Sequence, residues 1–204
     1  MKKRTSKEIF AMTMLALSRS IPIDKITVTK LVEESGLSSK TFYNHFQNKS
    51  ELMIYIEESE ADRLHKKLEE NNYSFHDYLM DGLIYYRKIR HFIRNAVNHT
   101  SGNEDYGRLR AESAFKDLYT FLLKMNHLEK VNKQITFALR LYVFGLVEMY
   151  GQHVLVDSSL SDDQFIEYCK ECMPEILKPY LLQKIHNTAY PPFDKILLTG
   201  GMGQ

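Results

Sequence analysis

Cysteine is scarce in this sequence, since only Cys169 and Cys172 occur among its 204 residues. Two cysteines are too few for a disulfide framework, and no second Cys/His pair accompanies them to complete the four ligands of a structural zinc site. The histidines show no metal-ligand spacing either. We therefore expect reduced thiols in a cytoplasmic protein that binds no metal ion.

Long apolar runs and catalytic motifs are also missing. The most apolar stretch, residues 135–147, contains Arg140 and is followed by Glu148, so it is shorter than the roughly 18–20 residues that a membrane-spanning helix needs. No G-x-S-x-G, P-loop, G-x-G-x-x-G or paired-carboxylate pattern is present. The sequence thus predicts neither a membrane protein nor an enzyme, and it gives no reason to expect a cofactor.

Charge is distributed unevenly along the chain, although the net charge is only +1. Residues 1–50 contain nine Lys or Arg and four Asp or Glu, a balance of +5, whereas the remainder contains 18 and 22, a balance of −4. A basic head on a mildly acidic body is the distribution expected when only one end of a protein meets phosphate groups.

Helical periodicity dominates and strand alternation is rare, so we expect an all-α protein. Thr5 and Glu8 have capping-box spacing, which favours a helix over a signal peptide behind the basic N-terminus. Thr27 or Thr29 caps the second helix, and Gly36 suits the left-handed position that ends it. The predicted helices cover residues 5–20, a second helix up to Gly36, residues 38–46, a long helix capped by Asn48, and residues 75–88, 90–99, 108–126, 131–155 and 161–184.

The segment around Gly36 has the pattern of a helix-turn-helix, in which two short helices are separated by a tight turn. In that unit the second helix enters the major groove and presents its N-terminal residues to bases and phosphates. A plain surface helix would explain the serines and Lys40 alone, but not the capped helix pair, the turn glycine and the basic head together. The residues predicted to contact DNA are Thr27, Thr29, Ser38, Ser39, Lys40, Thr41, Tyr43, His45 and Lys49.

These residues resemble the TetR family of one-component bacterial regulators. That family has Gly, an apolar residue, Ser, two variable positions, Thr, an apolar residue, Tyr, a variable position and His-Phe, followed by Lys and an acidic or apolar pair. The matching positions here, in register, are Gly36, Leu37, Ser38, Thr41, Phe42, Tyr43, His45, Phe46, Lys49, Glu51 and Leu52. Lys30-Leu31 and Lys40 replace the common Ile-Ala and glycine, so we expect a sequence preference different from that of relatives.

The resemblance implies a homodimer that binds a palindromic double-stranded DNA operator, usually as a repressor, and that is released by an effector bound among its middle helices. The last two long helices are expected to pair with their twins as a four-helix bundle. The C-terminal part is also similar to the dihydroxyacetone-kinase operon regulators, some of which respond to a protein coregulator. The sequence leaves open whether the effector is an unknown small molecule or a protein partner.

The resemblance also suggests functional residues in the body. For any single aromatic residue among them, ordinary core packing is the better explanation. The predicted pocket wall consists of Tyr78, Tyr85, Tyr86, Phe92, Phe115, Tyr119, Phe137 and Tyr142. The predicted dimer interface consists of Arg140, Gly145, Glu148, His153, Phe165 and Cys169.

Three regions are expected in total. Residues 1–50 form an N-terminal three-helix bundle with the helix-turn-helix DNA-binding domain. Residues 51–186 form a helical effector-binding and dimerisation domain. Residues 187–204, with Pro191-Pro192 and three glycines, form an extended or disordered tail. In the first helix, the residues expected to be largely buried are Ile9, Phe10, Met12, Met14 and Leu15.

Overall fold

A computed structural model describes residues 4–68, 73–156 and 159–182 of the chain. Within these ranges the chain forms α-helices, three short 3₁₀ turns and no β-strand, which confirms the predicted all-α fold. The helices are α1 (Ser6–Leu17), α2 (Val28–Ser35), α3 (Ser39–Tyr43), α4 (Lys49–Leu68), α5 (Phe75–Lys88), α6 (Arg90–His99), α7 (Tyr106–Met125), α8 (Lys133–Leu155), α9 (Asp162–Glu171) and α10 (Lys178–Leu181).

Most predicted helix boundaries lie close to the observed ones, and α5 and α6 have the predicted bounds. The predicted helix over residues 161–184 is wrong, because α9 ends at Glu171 and a 3₁₀ turn at Glu175–Leu177 separates it from α10. Pro174 lies at the break, and proline has no N–H to donate and disfavours the helical conformation of the residue before it. The tail predicted over residues 187–204 lies outside the described residues.

Side-chain caps fix where the helices begin. Thr5 and Glu8 form the predicted capping box at α1, and Thr27, rather than Thr29, caps α2. The side chain of Asn48 accepts a hydrogen bond from the Glu51 amide at 2.9 Å at the start of α4. Each cap satisfies an amide that the helix itself leaves unpaired.

The core of the head is a cluster of aromatic and aliphatic side chains from α1, α2, α3 and the first half of α4. Phe10 and Phe42 meet edge to face with their ring centroids 5.2 Å apart, and Phe46 packs against Phe42. Met12 was expected to be buried but is 46% exposed. Because Phe10 and Met14 lie four residues apart on the inner side of α1, a residue midway between them points to the opposite side.

The body has a second core formed by α5, α7, α8, α9 and α10. Helix α4 connects the two halves, since Leu52 and Ile56 are buried in the head core while Leu68 packs against the body core. Helix α6 adds Phe92 and Ile93 to the head core. The head therefore rests on the body through both α4 and α6.

Asn95 of α6 binds the loop that joins α1 to α2. Its side-chain oxygen accepts a hydrogen bond from the Ile23 amide at 2.8 Å. Its side-chain nitrogen donates to the carbonyl oxygens of Ser18 and Ile21, each at 2.7 Å. One amide side chain thus satisfies three backbone groups that no helix pairs, and it fixes the head to α6.

The turn between α2 and α3 gives a test of this fold. Gly36 has a φ of +69° with nothing within 4 Å of an added Cβ, so we expect Gly36→Ala to lower the free energy of unfolding by about 1 kcal/mol through backbone strain alone. Gly107, a helical residue of α7 whose added Cβ would make an ordinary contact of 3.5 Å, is the matched control. Gly107→Ala should be neutral or stabilising. Urea unfolding of both variants measures the difference, and equal effects would contradict it.

Candidate nucleic-acid interface and buried cavity

Helices α2 and α3 form a helix-turn-helix with a turn of three residues. Gly36 ends α2 in the left-handed conformation, and its N–H donates to the carbonyl of Val32. Ser38 then caps α3, because its hydroxyl oxygen accepts a hydrogen bond from the Thr41 amide at 3.1 Å. The two helices pack against each other as the sequence predicted.

The two sides of α3 differ in character. Phe42 is completely buried in the head core and holds the helix in place. Ser39, Lys40, Tyr43 and His45 are exposed around it, and Tyr43 retains 59% of its accessible surface. Hydrogen-bonding and cationic side chains therefore stand on the outer surface of a short, firmly anchored helix, as contact with a DNA groove requires.

Two of the residues predicted to contact DNA, Thr27 and Ser38, also cap the N-termini of helices. The hydroxyl of Thr27 accepts the Lys30 amide at 3.1 Å, and the hydroxyls of Ser38 and Thr41 lie 2.8 Å apart. Thr29 is exposed near the start of α2. A capping hydroxyl accepts one hydrogen bond through one lone pair of its oxygen. It therefore still has a second lone pair and an O–H group that can form hydrogen bonds with DNA.

Lys49 lies at the start of α4 and is half-buried. Its ammonium donates to the carbonyl of Ile23 at 2.6 Å and so fastens α4 to the loop after α1. Burial lowers the pKa of this ammonium, although the carboxylates of Glu104 and Asp24 oppose the effect. An ammonium has three N–H donors, so Lys49 keeps donors beyond the one that binds Ile23.

A cavity of about 110 Å³ lies between α4, α5, α7 and α8. Of the eight aromatic residues predicted to form a pocket wall, the structure brings Tyr78, Tyr85 and Tyr86 to this cavity. Tyr150 also lines it, and so do several charged side chains that the sequence reasoning missed. The charged lining residues are Glu57, Glu58, Glu60, Arg110 and Asp117.

The other five predicted pocket residues lie elsewhere. Phe92 packs on Tyr106 at the head, and Phe115 packs on Tyr119 along α7. Phe137 is 70% exposed on α8. The Tyr142 hydroxyl donates to the backbone carbonyl of Cys169 at 2.8 Å. None of these five side chains lines the cavity, because their direction is set by helix rotations that residue type does not reveal.

The carboxylates of the cavity wall have different partners. Glu57 accepts hydrogen bonds from the hydroxyls of Tyr86, at 2.8 Å, and of Tyr106. Burial raises the pKa of Glu57, against the opposing charge of Arg110. Burial also raises the pKa of Asp117 from its ordinary value of 3.8 to about 6, with a further contribution from the nearby carboxylate of Glu58.

Arg110 is the one cation among the residues that line the cavity, and it is only 3% exposed. Its Nη2 donates to the carbonyl of Val147 at 2.7 Å. Its Nε and Nη1 have no hydrogen-bond partner in the part of the chain that the structure describes. The guanidinium lies beside the rings of Tyr86 and Tyr106, 5.4 and 5.7 Å from their centroids.

The residues predicted for a dimer interface divide into two groups. Arg140, Gly145 and Glu148 are exposed on α8, where Arg140 also pairs with Glu112. The other three correct the prediction, because the side chains of His153, Phe165 and Cys169 are buried within the protomer. The ring of His153 stacks on that of Phe165 with centroids 4.2 Å apart, so packing inside one chain explains both.

An apolar stripe that the sequence analysis did not identify as a surface runs along the exposed side of α8. Its large side chains are Phe137, Leu141, Met149 and Val156, of which Phe137, Leu141 and Val156 are each at least 65% exposed. Gly145 lies between Leu141 and Met149 with open space where a Cβ would stand. The missed signal was the spacing of four residues from Phe137 to Met149, which places these positions close to one side of a helix.

No group of three or more His, Cys, Asp or Glu residues that could hold a metal ion occurs in the described ranges. Cys169 and Cys172 are free thiols, the first buried and the second exposed. Within the same described part of the chain, none of the helices is both long and apolar enough to span a bilayer.

Comparisons with known proteins agree with this geometry. Residues 17–56 match the family model described as "Bacterial regulatory proteins, tetR family". No curated protein matches the sequence. The predicted resemblance to the TetR family is confirmed, and the matched residues include all of α2 and α3.

Solved structures show the same fold at low sequence identity. The dihydroxyacetone kinase operon activator DhaS is 16% identical with a TM-score of 0.57, over 86% of this chain and 97% of its own. A TetR transcriptional regulator from Streptococcus agalactiae 2603V is 17% identical with a TM-score of 0.54, over 82% and 92%. One from Rhodococcus sp. RHA1 is 13% identical with a TM-score of 0.55, over 86% and 98%.

The described part of the chain therefore shares its fold with solved TetR-family regulators, and residues 17–56, which contain the helix-turn-helix, match that family's model. The matching family and these structural neighbours are transcriptional regulators, not enzymes.

The raised pKa of Asp117 predicts how stability depends on pH. The folded protein keeps this proton to a higher pH than the unfolded chain does, so the contribution of Asp117 is fully present below pH 3.8 and is lost as the pH rises to about 6. Asp117→Asn should therefore raise the free energy of unfolding at pH 7.5, and the gain should shrink at pH 4. Urea unfolding at both pH values measures it. Glu129→Gln, at an exposed position before α8, is the control, and an equal gain for Asp117→Asn at both pH values would refute the prediction.

Proposed function

We propose that this protein is a homodimeric, cytoplasmic repressor that binds a palindromic operator through two copies of α3 and is released by a small molecule bound in the cavity. The observation that carries the proposal is the exposed polar side of α3, anchored by the buried ring of Phe42 within a match to the TetR family.

The DNA side of the proposal requires two copies of the chain. Helix α3 has only five residues, so one copy can contact few base pairs. Helix-turn-helix dimers place two such helices about 34 Å apart, one turn of DNA, and read a palindrome. We assign base contacts to Ser39 and Lys40 at the start of α3, and backbone contacts to Tyr43 and His45 further along.

The exposed stripe on α8 supplies a surface for dimerisation. Phe137, Leu141, Met149 and Val156 are large apolar side chains that all stay about half exposed or more, and monomeric proteins rarely leave a large apolar surface open to water. A second copy of the same stripe would cover it around a twofold axis. Gly145, which has no side chain, would let the two α8 helices approach closely at the middle of the contact.

The cavity and the head share α4, which supplies a route for regulation. Glu57 and Glu58 line the cavity, whereas Leu52 and Ile56 of the same helix are buried in the head core. A ligand that fits better when α4 is displaced would favour a head spacing that no longer matches the operator. A difference of about 1–3 kcal/mol between the two states changes operator affinity by about 5–150-fold.

The rival interpretation from the sequence is control by a protein partner. A cavity with apolar walls and a buried arginine, whose Nε and Nη1 have no partner among the described residues, supports a small molecule instead. One structural neighbour is described as an operon activator. Reporter expression from the target promoter, in strains with and without this gene, decides whether the protein represses or activates transcription.

Two substitutions on α3 test the interface with DNA. We expect Tyr43→Ala to weaken binding to every DNA sequence and to lower the slope of log affinity against log salt if its hydroxyl binds phosphate. Lys40→Ala should cost about 1–3 kcal/mol on the operator and relax the preference at one position if the ammonium reads a guanine. Fluorescence anisotropy at two salt concentrations, on the DNA upstream of the gene and on scrambled DNA, measures both.

Lys66→Ala is the matched control, since Lys66 is exposed on α4 beyond the head; it should leave the affinity within about twofold. Equal losses for Lys40→Ala on operator and scrambled DNA would reassign Lys40 to phosphate. Lys49→Ala is a poorer test, because it also removes the bond to Ile23 and loosens the head.

Dimerisation is tested on the α8 stripe. Leu141 is 65% exposed at its centre, so Leu141→Glu should place two like charges at the twofold contact and separate the protomers. Light scattering after gel filtration should then give the chain mass of 24.0 kDa instead of twice that mass, with loss of tight binding to palindromic DNA. Met12→Glu replaces an exposed apolar residue of the head and should leave the dimer intact. A Leu141→Glu protein that stays dimeric would move the interface away from α8.

A further inference from the structure

Arg110 has an unusual position for a cation, because its side chain is buried in the protein. It is 3% exposed, and its Nε and Nη1 donate to no described residue. A guanidinium carries a positive charge and five N–H donors. Charged donors that are buried without a hydrogen-bond acceptor carry a desolvation cost that no hydrogen bond offsets.

The nearest carboxylate does not satisfy these donors. Glu57 lowers the electrostatic cost of burying Arg110, and the two charges act on each other. Its oxygens are instead bound by the hydroxyls of Tyr86 and Tyr106. The rings of Tyr86 and Tyr106 lie beside the guanidinium carbon. Nε and Nη1 of Arg110 are thus buried near a counter-charge that does not accept their hydrogen bonds.

Helix α8 holds the guanidinium at the cavity wall. The carbonyl of Val147 accepts from Nη2 at 2.7 Å. One turn further on, a Cβ at Gly151 would lie 3.0 Å from that same Nη2, which is closer than nearly all real Cβ contacts. The absence of a side chain at residue 151 thus makes room for Arg110, which lines the cavity together with Val147.

We propose that the cavity binds a small organic acid with an apolar body, and that its carboxylate accepts hydrogen bonds from Nε and Nη1 of Arg110. This inference rests on the proposed function, because it specifies the chemical class of the effector. The apolar body would lie on the aliphatic and aromatic lining. The lining residues that suit it are Leu64, Leu79, Leu118, Leu146, Val143 and Tyr150.

The other carboxylates of the cavity do not oppose an acid at this end. Glu58 accepts from the Ser113 hydroxyl at 2.7 Å, and Glu60 pairs with Arg63. Asp117 lies seven residues after Arg110 on α7, which separates their backbones by about 10 Å along the helix. The cavity thus has a cationic end at Arg110 and an acidic end at Asp117.

The experiment compares ligands that share a body and differ in the charge of one end. 3-Phenylpropionate, 3-phenylpropylamine and 3-phenylpropanol form one series, and hexanoate, hexylamine and hexanol form a second. Calorimetric titration of the full-length protein at pH 7.5 without DNA gives Kd for each. We expect the acids to bind about tenfold or more tightly than the matched alcohols, and the amines to bind no better than the alcohols.

Two variants assign the effect to Arg110. Arg110→Lys keeps the charge that balances Glu57 but cannot place donors where Nε and Nη1 stand, so acids and alcohols should bind within about twofold of each other. Gly151→Ala keeps Arg110 and displaces its guanidinium, and it should weaken the acids selectively. Arg140→Lys, on the exposed side of α8, should retain the preference. Circular dichroism confirms that each variant is folded before titration.

Each other outcome overturns the inference. Tighter binding of the amines would show that the carboxylates, not Arg110, select the ligand. Equal binding of acid and alcohol, or no binding in either series, would mean that buried water satisfies Arg110. Failure of the proposed function would look different. If acids bind through Arg110 but leave operator affinity unchanged in anisotropy, the acid site is supported and release of DNA by the effector is contradicted.

Discussion

Helix α4 contributes to the head core through Leu52 and Ile56 and to the cavity wall through Glu57 and Glu58, with no break between these residues. Neither half of the molecule can therefore change the position of this helix without the other. A helix of 20 residues is about 30 Å long, so α4 reaches from the head core to the cavity wall as one element. The shape of the cavity and the position of the head core are consequently linked through α4.

The buried charged groups at the cavity lie where α4 meets three other helices. Glu57 belongs to α4, Tyr86 to α5, Tyr106 and Arg110 to α7, and the carbonyl that Arg110 binds to α8, so one polar cluster joins four helices. Such clusters contribute little net stability, because desolvation offsets the attraction between the charges. They do penalise any arrangement that leaves a charge alone, which favours a small number of well-defined helix positions.

The fold and the helix-turn-helix could be predicted from the sequence because local chemistry determines both. Thr27, Ser38 and Asn48 cap helices through bonds spanning three residues, and Gly36 needs no partner beyond its own backbone. The cavity was only partly predictable. Tyr85 and Phe115 look alike in sequence, yet one lines the cavity and the other packs outside it. Arg110 was missed because a charged residue in a helix usually faces water, and only the meeting of α7 with α8 at Gly151 buries it.

Asn95 restricts how the head can move. Because its side chain binds backbone groups of Ser18, Ile21 and Ile23, the loop after α1 cannot shift independently of α6. The head and α6 should then turn together as a rigid body, with the axis of rotation in the body rather than at the start of α4. In the proposed dimer, the two copies of α3 would lie at the far ends of these rotating units. A small angular change near the cavity would therefore become a larger change in the distance between half-sites.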